Sequence, residues 1–227
     1  MNLQTLNDYL ETHSGRDKIL KTLSYTAKLL TVCSSKSVEK KLITFGSQMS
    51  KCRVMLRLLD DLPRLTDLIQ YGWGKKEHDR LIRWTQVIQN LIDTIASPIE
   101  HIAWAGQLNI VSINVNKWDL VVVILWILSL KLSLLRSIRQ LVKLQENYKH
   151  VHVSHLETPK KYIVQRRNLI LACTCCGLDM IYAISYLPPG VLWGGRLKTW
   201  HVGALGTTSS LIGLYRAFSK QKIKKAE

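Results

Sequence analysis

The sequence predicts an all-α membrane protein, with amphipathic helices in its amino-terminal half followed by about two transmembrane helices. Only 5 Pro and 12 Gly occur among 227 residues, and apolar residues recur at helical rather than strand spacing. Hydrophobic residues make up 47% of a chain that is also 21% charged, so the two kinds must be segregated. The net charge of +16 suits a polyanionic partner, either nucleic acid or an anionic membrane surface.

The first amphipathic helix lies in residues 15–30, GRDKILKTLSYTAKLL. At about 100° per residue, one face holds the apolar side chains Ile19, Leu20, Leu23, Ala27 and Leu30. Lys21, Ser24 and Lys28 lie on the opposite face. We expect the isoleucine and the leucines to insert into a membrane while the two lysines contact lipid headgroups. Packing of the apolar face inside a soluble helical bundle is the alternative.

A longer apolar seam follows in KKLITFGSQMSKCRVMLRLLDDLP, residues 40–63. Steps of three and four residues, over about five turns, align Leu42, Phe45, Met49, Cys52, Leu56 and Leu59. These six side chains are predicted to insert into the membrane. Lys51, Arg53 and Arg57 are predicted to contact headgroups, and Pro63 is expected to end the helix.

A third amphipathic stretch runs from Asp79 to Ala96 and is expected to stop at Pro98. One side of it carries the apolar residues Leu81, Trp84, Ile88, Leu91, Ile92 and Ile95. Residues 1–116 are therefore predicted to form a cytosol-facing region of amphipathic helices.

Two segments are candidates to cross a bilayer. Residues 118–135, WDLVVVILWILSLKLSLL, would form a helix about 27 Å long, close to the bilayer core of about 30 Å. They define a transmembrane helix at 117–136. A second transmembrane helix is predicted at 200–218, WHVGALGTTSSLIGLYRAF, which has no Asp, Glu, Lys or Arg before Arg216.

The remaining carboxyl-terminal residues connect and follow these spans. Residues 137–199 are predicted to form a loop with a basic stretch and an apolar helix at 168–187, which either crosses the membrane or lies in the interface. Residues 219–227 form a basic cytosolic tail. In the second span, small residues at a spacing that allows close helix approach in lipid predict helix–helix contacts through Gly203, Gly206, Ser210 and Gly213.

The sequence predicts neither an enzyme nor a cofactor or metal site. It contains no phosphate-cradling glycine loop and no nucleotide-binding fingerprint. His150, His152 and His155 lie close together, but only Glu157 is near enough in sequence to complete a metal site. The sequence CTCC at 173–176 is better explained as small apolar packing residues than as a metal or palmitoylation site. Five cysteines without a disulfide-framework spacing fit a reducing, cytosol-facing environment.

Three other functions are compatible with parts of this pattern. A small-metabolite pore would place Asp179 or Lys131 towards the interior of a bundle. A soluble basic bundle that binds nucleic acid would explain the charge, but the apolar segments argue against a nucleic-acid partner. An adaptor could act only through protein binding, because an exposed amphipathic face can meet a partner helix as well as a lipid leaflet.

Several blocks of the sequence resemble the peroxisomal membrane protein 11 family, the peroxins that elongate and proliferate peroxisomes. GRDKILKTLSYTAKLL resembles the amino-terminal block of that family. QMSKCRVMLRLLDDL, PIEHIAWAGQ and LPPGVLWGGRL followed by GTTSSL resemble its gamma type. The blocks occur in the family's order from about residue 15 to residue 213.

The resemblance implies a multipass peroxisomal membrane protein with both termini in the cytosol. Its function would be to elongate the membrane by inserting amphipathic helices, and thereby to promote peroxisome division. The implied partners are membrane lipid, further copies and other family members, fission adaptors, a dynamin-like GTPase and an import receptor for peroxisomal membrane proteins. The basic tail would contribute to targeting through Lys220, Lys222, Lys224 and Lys225. The acidic pair Asp60 and Asp61 would weaken contact with anionic lipid at the end of the seam helix.

Overall fold

A computed structural model of the chain describes residues 3–151 and 159–224, and within them it contains helices and no strand. The predicted all-α fold class is therefore confirmed. The described residues form eight α-helices: α1 Leu3–Glu11, α2 His13–Leu30, α3 Lys36–Arg57, α4 Asp61–Tyr71, α5 Arg80–Gln107, α6 Val115–Val151, α7 Pro159–Ile184 and α8 Thr199–Lys224. A single 3₁₀ turn, Thr31–Cys33, joins α2 to α3.

Side-chain caps start two of the amphipathic helices. Thr12 accepts a hydrogen bond from the Gly15 amide and starts α2. Asp79 accepts from the amides of Leu81 and Ile82 and starts α5. Both oxygens satisfy amides that have no partner within the first helical turn. The boundaries of these helices therefore follow from local chemistry.

Two prolines do not end helices as the sequence suggested. α3 already ends at Arg57, and Pro63 lies in the first turn of α4, where its missing amide proton leaves no hydrogen bond unmade. Pro98 lies inside α5, which continues to Gln107. The amphipathic stretch that was expected to stop there is thus 28 residues long.

The helices pack as a series of neighbours. α3 packs against α2, α2 against α8, α8 against α7, α7 against α6, and α6 against α5, while α4 lies against α5. An ion pair between Arg57 of α3 and Glu100 of α5, 3.5 Å long, brings the two ends of the series together. The amphipathic region and the apolar region therefore form one helical assembly rather than separate units.

The carboxyl-terminal half departs from its predicted division. Residues 137–151, expected to be loop, continue α6 without interruption. Two helices among the described residues are long and apolar enough to cross a membrane: Val115–Tyr148 within α6, and Tyr162–Ile184 within α7. The first contains the predicted span at 117–136. The second contains most of the apolar helix predicted at 168–187, which was expected either to cross the membrane or to lie in the interface.

The fully buried core is small for a chain of this size. It is centred on Tyr25, Tyr182 and Val202, with Trp126 packed against them. Many large apolar side chains on every long helix are instead exposed. A surface of this kind marks a protein that meets lipid or another apolar partner.

Candidate functional site: an apolar surface around a charged interior

α2 packs through its small and polar side rather than through its most apolar face. Ser24, Tyr25 and Ala27 are buried, whereas Leu23 and Leu30 are 42% and 50% exposed. The Ser24 hydroxyl lies 2.8 Å from the Gly46 carbonyl oxygen and 2.7 Å from the Ser50 hydroxyl, both on α3. Close contact between small residues therefore joins α2 to α3 and leaves the leucines outside.

The predicted seam on α3 divides into exposed and half-buried positions. Phe45, Cys52 and Leu59 are exposed. Leu42, Met49 and Leu56 are half-buried. Leu56 and Cys52 line an open apolar groove of about 470 Å³, whose other walls are Leu10, Arg16, Ile19, Leu20 and Met55. Four of the predicted inserting residues, Ile19, Leu20, Cys52 and Leu56, thus share this groove between α1, α2 and α3.

The exposed apolar surface extends from α3 into α4, a helix that was not among the predicted inserting segments. Its members are Val38, Ile43, Phe45, Met55, Leu59, Leu62, Leu65 and Ile69, which we call the α3–α4 apolar surface. Leu59 and Leu62, at 76% and 75% exposed, lie at the turn between the two helices. The recurrence of apolar residues at 62, 65 and 69 was visible in the sequence and indicates one helix face.

Two lysines predicted to meet headgroups contact side chains of the same chain. Lys21 Nζ is 2.8 Å from Asp179 Oδ2 of α7, and both side chains are largely buried. Lys28 Nζ lies 3.3 Å from the Tyr186 hydroxyl and above the Tyr25 ring. Lys21 is therefore paired inside the assembly, whereas the contact of Lys28 lies at an exposed position. Headgroup contact by these two lysines stays a prediction.

The two arginines of α3 also bind carboxylates of neighbouring helices. Arg53 Nε donates to Asp17 at 2.9 Å in a half-buried pair, and Arg57 pairs with Glu100. Each arginine therefore has a carboxylate partner in the same chain, and headgroup contact by either one stays a prediction. Lys51 is exposed and keeps the predicted geometry.

These ion pairs surround an interior cavity of about 240 Å³. Its walls come from α2, α3, α5, α6 and α7 and include Lys21, Arg53, Arg57, Glu100, Asp179 and Tyr182. A second cavity of about 200 Å³ shares Arg57 and Glu100 and adds Arg64 and Asp93. Charged residues inside and apolar residues outside are the arrangement that lipid favours, because charges at membrane depth must pair within the protein.

The surroundings of Tyr25 in α2 and of Asp79 at the start of α5 shift the pKa values of these two side chains. Burial raises the pKa of the Tyr25 hydroxyl well above its usual value. The Ile82 amide, the Arg139 guanidinium and the Leu81 amide hold the pKa of the Asp79 carboxyl below its usual value. Tyr25 thus stays neutral inside the assembly, and Asp79 stays charged where it meets Arg139.

Two glycines of α8 seat this helix against α2 of the same chain. A Cβ atom at Gly203 would meet the backbone of Leu29, and one at Gly206 would meet the ring of Tyr25. Ser210 is buried, and its hydroxyl donates to the Gly206 carbonyl oxygen. A Cβ atom at Gly213 would have no neighbour within 4 Å. The small residues of α8 therefore serve an internal contact, which accounts for the burial of much of the segment predicted as the second span.

Some predicted residues lie elsewhere. Lys131 is exposed on α6, so it does not face the bundle interior that a pore would require. The side chains of Lys220, Lys222, Lys224 and Lys225, and those of His150, His152 and His155, lie outside the described residues.

Comparison with known proteins identifies the family. The family model described as Peroxisomal biogenesis factor 11 (PEX11) matches residues 3–218. The chain belongs to the PEX11 family. It is 34% identical over 227 residues to Peroxisomal membrane protein 11C of Homo sapiens, covering 95% of this chain and 94% of that protein. Peroxisomal membrane protein 11C of Mus musculus is 34% identical over 226 residues, again covering 95% of this chain and 94% of the relative. No solved structure matches the chain.

Membership of the PEX11 family confirms the resemblance found in the sequence blocks. The two curated relatives are peroxisomal membrane proteins by name. The chain itself carries two helices long and apolar enough to cross a membrane. Family and structure therefore agree on an all-α protein of the peroxisomal membrane.

Proposed function

We propose that this PEX11-family protein elongates the peroxisomal membrane and promotes peroxisome division by inserting the α3–α4 apolar surface into the cytosolic leaflet. The observation that supports this most directly is the combination of exposed apolar residues and exposed lysines on one pair of helices. Phe45, Leu59 and Leu62 are exposed there, and Lys40, Lys41 and Lys51 are exposed on α3. This is the composition of a helix that lies in a membrane interface.

Insertion on one side bends a bilayer. Apolar side chains that sink about 5–10 Å into one leaflet expand that leaflet relative to the other, and the expansion favours curvature. The lysines of α3 remain with anionic headgroups, where each contributes about 1 kcal/mol near the surface. The transmembrane helices keep the inserted surface at high local concentration on the organelle.

The proposed function also includes a membrane topology, a targeting signal and association between copies. We propose that both termini face the cytosol, that the basic tail with Lys220, Lys222, Lys224 and Lys225 contributes to recognition by an import receptor, and that copies associate with one another and with other family members. Elongated membrane would then be divided by fission adaptors and a dynamin-like GTPase.

The α3–α4 turn offers a direct test. Leu59→Glu with Leu62→Glu replaces two side chains that make little contact within the protein, so folding should persist. Each leucine contributes about 1.5–3 kcal/mol when fully buried in an apolar phase, and the double variant should therefore lose membrane insertion at this site. The purified full-length chain should no longer tubulate vesicles that contain anionic lipid, and peroxisomes carrying the variant should stay short.

A matched control separates insertion from added negative charge. Gln70→Glu with His78→Glu adds the same charge at two exposed polar positions that are not members of the α3–α4 apolar surface, and it should retain most of the activity. If the leucine variant elongates vesicles as well as the unchanged protein, insertion of this surface is not the mechanism. If neither protein deforms pure lipid vesicles but the leucine variant still fails in cells, the chain acts as an adaptor.

A small-metabolite pore is the second candidate, because Asp179 borders the interior cavity. In the structure Lys21 binds this carboxylate and neutralises the charge that a passing ion would meet. We expect no conductance in reconstituted bilayers. A conductance that Asp179→Asn alters would favour the pore.

A further inference from the structure

The outward side of α5 is apolar along nearly its whole length. Every exposed residue from Leu81 to Ile102 is apolar in this fully described stretch. The exposed positions are Leu81, Trp84, Ile88, Leu91, Ile95, Pro98 and Ile102, which we call the α5 stripe. Their alternating steps of three and four residues place them on one face, and 21 residues at about 1.5 Å each make the stripe about 32 Å long.

The α5 helix lies antiparallel to α6 over this same length. At one end, Asp79 Oδ2 is 2.8 Å from Arg139 Nε, and Glu77 is 3.5 Å from Lys143. At the other end, Gln107 Nε2 donates to Asp119 Oδ1 at 2.9 Å. The apolar part of α6 lies between these contacts.

The middle of α5 is fixed to the middle of α6. Gln89 Nε2 donates to the Ser129 hydroxyl at 3.1 Å, and Arg136 Nη1 donates to Gln89 Oε1 at 2.8 Å. The register therefore places the centre of the α5 stripe beside Leu128, an exposed residue of α6.

The polar residues of α5 face inwards. Glu100 pairs with Arg57, and the Asp93 carbonyl oxygen accepts a hydrogen bond from Arg64. Asp93 and Glu100 also border the interior cavities. An interfacial helix would keep its polar side in water or among headgroups, whereas the polar side of α5 is turned towards other helices.

We infer that α5 crosses the membrane beside α6 and that the α5 stripe meets bilayer hydrocarbon. The inference rests on α6 being a span: if α6 crosses, residues 77–79 and Gln107 lie at opposite ends of that crossing. The α5 stripe is as long as a bilayer core is thick, about 30 Å, and it continues the exposed apolar surface of α6 formed by Val121, Ile124, Leu128 and Leu135. α5 and α6 are therefore a transmembrane hairpin.

Mean hydropathy conceals this span, because α5 carries half-buried Gln, Asn, Asp and Glu residues opposite the α5 stripe. Polar residues inside a membrane are tolerated when they face the bundle and find partners there. Pro98 is tolerated for a related reason, since neighbouring helices can compensate for a missing hydrogen bond at membrane depth.

The decisive test is to determine on which side of the membrane the segments before and after α5 lie. Lys75 lies in the connection before α5 and Ser112 in the connection after it, and both are exposed. Lys75→Cys and Ser112→Cys would be made separately in full-length protein whose five native cysteines are replaced by alanine, with retained helicity as the folding check. Intact peroxisomes would be treated with a membrane-impermeant maleimide before and after detergent.

We expect one of the two cysteines to react before detergent and the other only after it. Reaction at position 75 first would fit the basic residues around it, namely Lys76, Arg80, Arg83, Arg139 and Lys143. It would also contradict insertion of the α3–α4 turn into the cytosolic leaflet, because Asp61 contacts Ser97 and His101 near the Ser112 end of α5. The reverse labelling would still support a crossing with the opposite orientation. Labelling of both sites before detergent, or protection of both, overturns the inference.

Depth measurements test the occupant of the α5 stripe. A nitroxide at Leu91→Cys should show high accessibility to oxygen and low accessibility to a water-soluble nickel chelate, equal to those of a nitroxide at Leu128→Cys. A nitroxide at Leu62→Cys serves as the shallow control. Equal, shallow depth for labels at positions 81, 91 and 102 would mean that α5 lies in the interface. Low accessibility to both reagents, with spin–spin broadening at Leu91→Cys, would mean that a second copy covers the stripe. Either result overturns the inference.

Discussion

α3 and α5 are both amphipathic, yet they present different surfaces to their surroundings. α3 exposes apolar residues such as Phe45 and Met55 together with Lys40, Lys41 and Lys51. α5 exposes only apolar residues between Leu81 and Ile102. Charged side chains beside apolar ones suit the interface, where both find favourable surroundings, whereas a surface without charge suits the hydrocarbon. The composition of the exposed face, not amphipathicity as such, separates the two helices.

The inner sides of the two helices show the same division. α3 packs on α2 through Gly46 and Ser50, which meet Ser24. α5 instead carries Gln89 and Glu100 towards partners on α6 and α3. A helix with charged residues inside needs partners at the same depth, because an unpaired charge there is costly. The interior pairs are thus a condition for the position that we infer for α5.

The largest expected effect comes from breaking an interior ion pair. Asp179→Ala leaves Lys21 without a partner, and loss of one member of a buried pair costs about 3–5 kcal/mol. α2 and α3 should then detach from α7 more readily, and the free energy of unfolding measured in detergent by circular dichroism should fall. The double variant Lys21→Met with Asp179→Leu removes both charges and should stay within about 1–2 kcal/mol of the unchanged protein. Equal losses for both variants would show that the pair contributes nothing specific.

The comparison between α3 and α5 can be made directly with one type of substitution. Leu91→Lys places a charge at the centre of the α5 stripe, at a cost of about 3 kcal/mol for insertion at the bilayer centre. Phe45→Lys on α3 should cost less than about 1 kcal/mol, because headgroups are within reach of the new amine. Resistance to carbonate extraction and the free energy of unfolding provide the measurements. Similar costs at both positions would contradict the difference in depth.

The seating of α2 on α8 predicts a smaller effect. Gly203→Ala forces a methyl group against the Leu29 backbone, and overpacking of this kind costs about 1–3 kcal/mol. Gly213→Ala is the matched control in the same helix. Its methyl group has no neighbour within 4 Å, and the better helix propensity of alanine should stabilise the protein by about 0.5–1 kcal/mol. Thermal unfolding temperatures should therefore shift in opposite directions.

The smallest effect concerns acid and the end of the α5–α6 hairpin. The amide of Ile82, then Arg139 and the amide of Leu81, lower the pKa of Asp79. Because the folded pKa lies below the ordinary aspartate value of about 3.9, the stabilisation is complete above that value and is lost as the pH falls through the folded pKa. Asp79→Asn keeps the cap but cannot titrate. Below a pH of about 4, the free energy of unfolding of this variant should depend less on pH than that of the unchanged protein. Tryptophan fluorescence measures the unfolding of both proteins. Parallel pH profiles would contradict this role of Asp79.

The sequence alone determined the helical fold class, the segment of α6 that is long and apolar enough to cross a membrane, and the family. Each of these depends on local information: the 3.6-residue period of apolar residues, a continuous apolar run as long as a bilayer is thick, and ordered sequence blocks. The amphipathic character of α2, α3 and α5 was equally visible, since it too is a matter of spacing along one helix.

The tertiary structure decided which side of each helix faces outwards and which charges are paired. Spacing places Lys21 opposite the leucines of α2, but only the packing of α7 brings Asp179 within 2.8 Å of it. The glycines of α8 signal close approach in the sequence, and only the fold shows that the approaching helix is α2 of the same chain. Pairing between residues 158 positions apart depends on how the whole chain packs. For that reason the local periodicity that predicted the helices could not predict the charged interior.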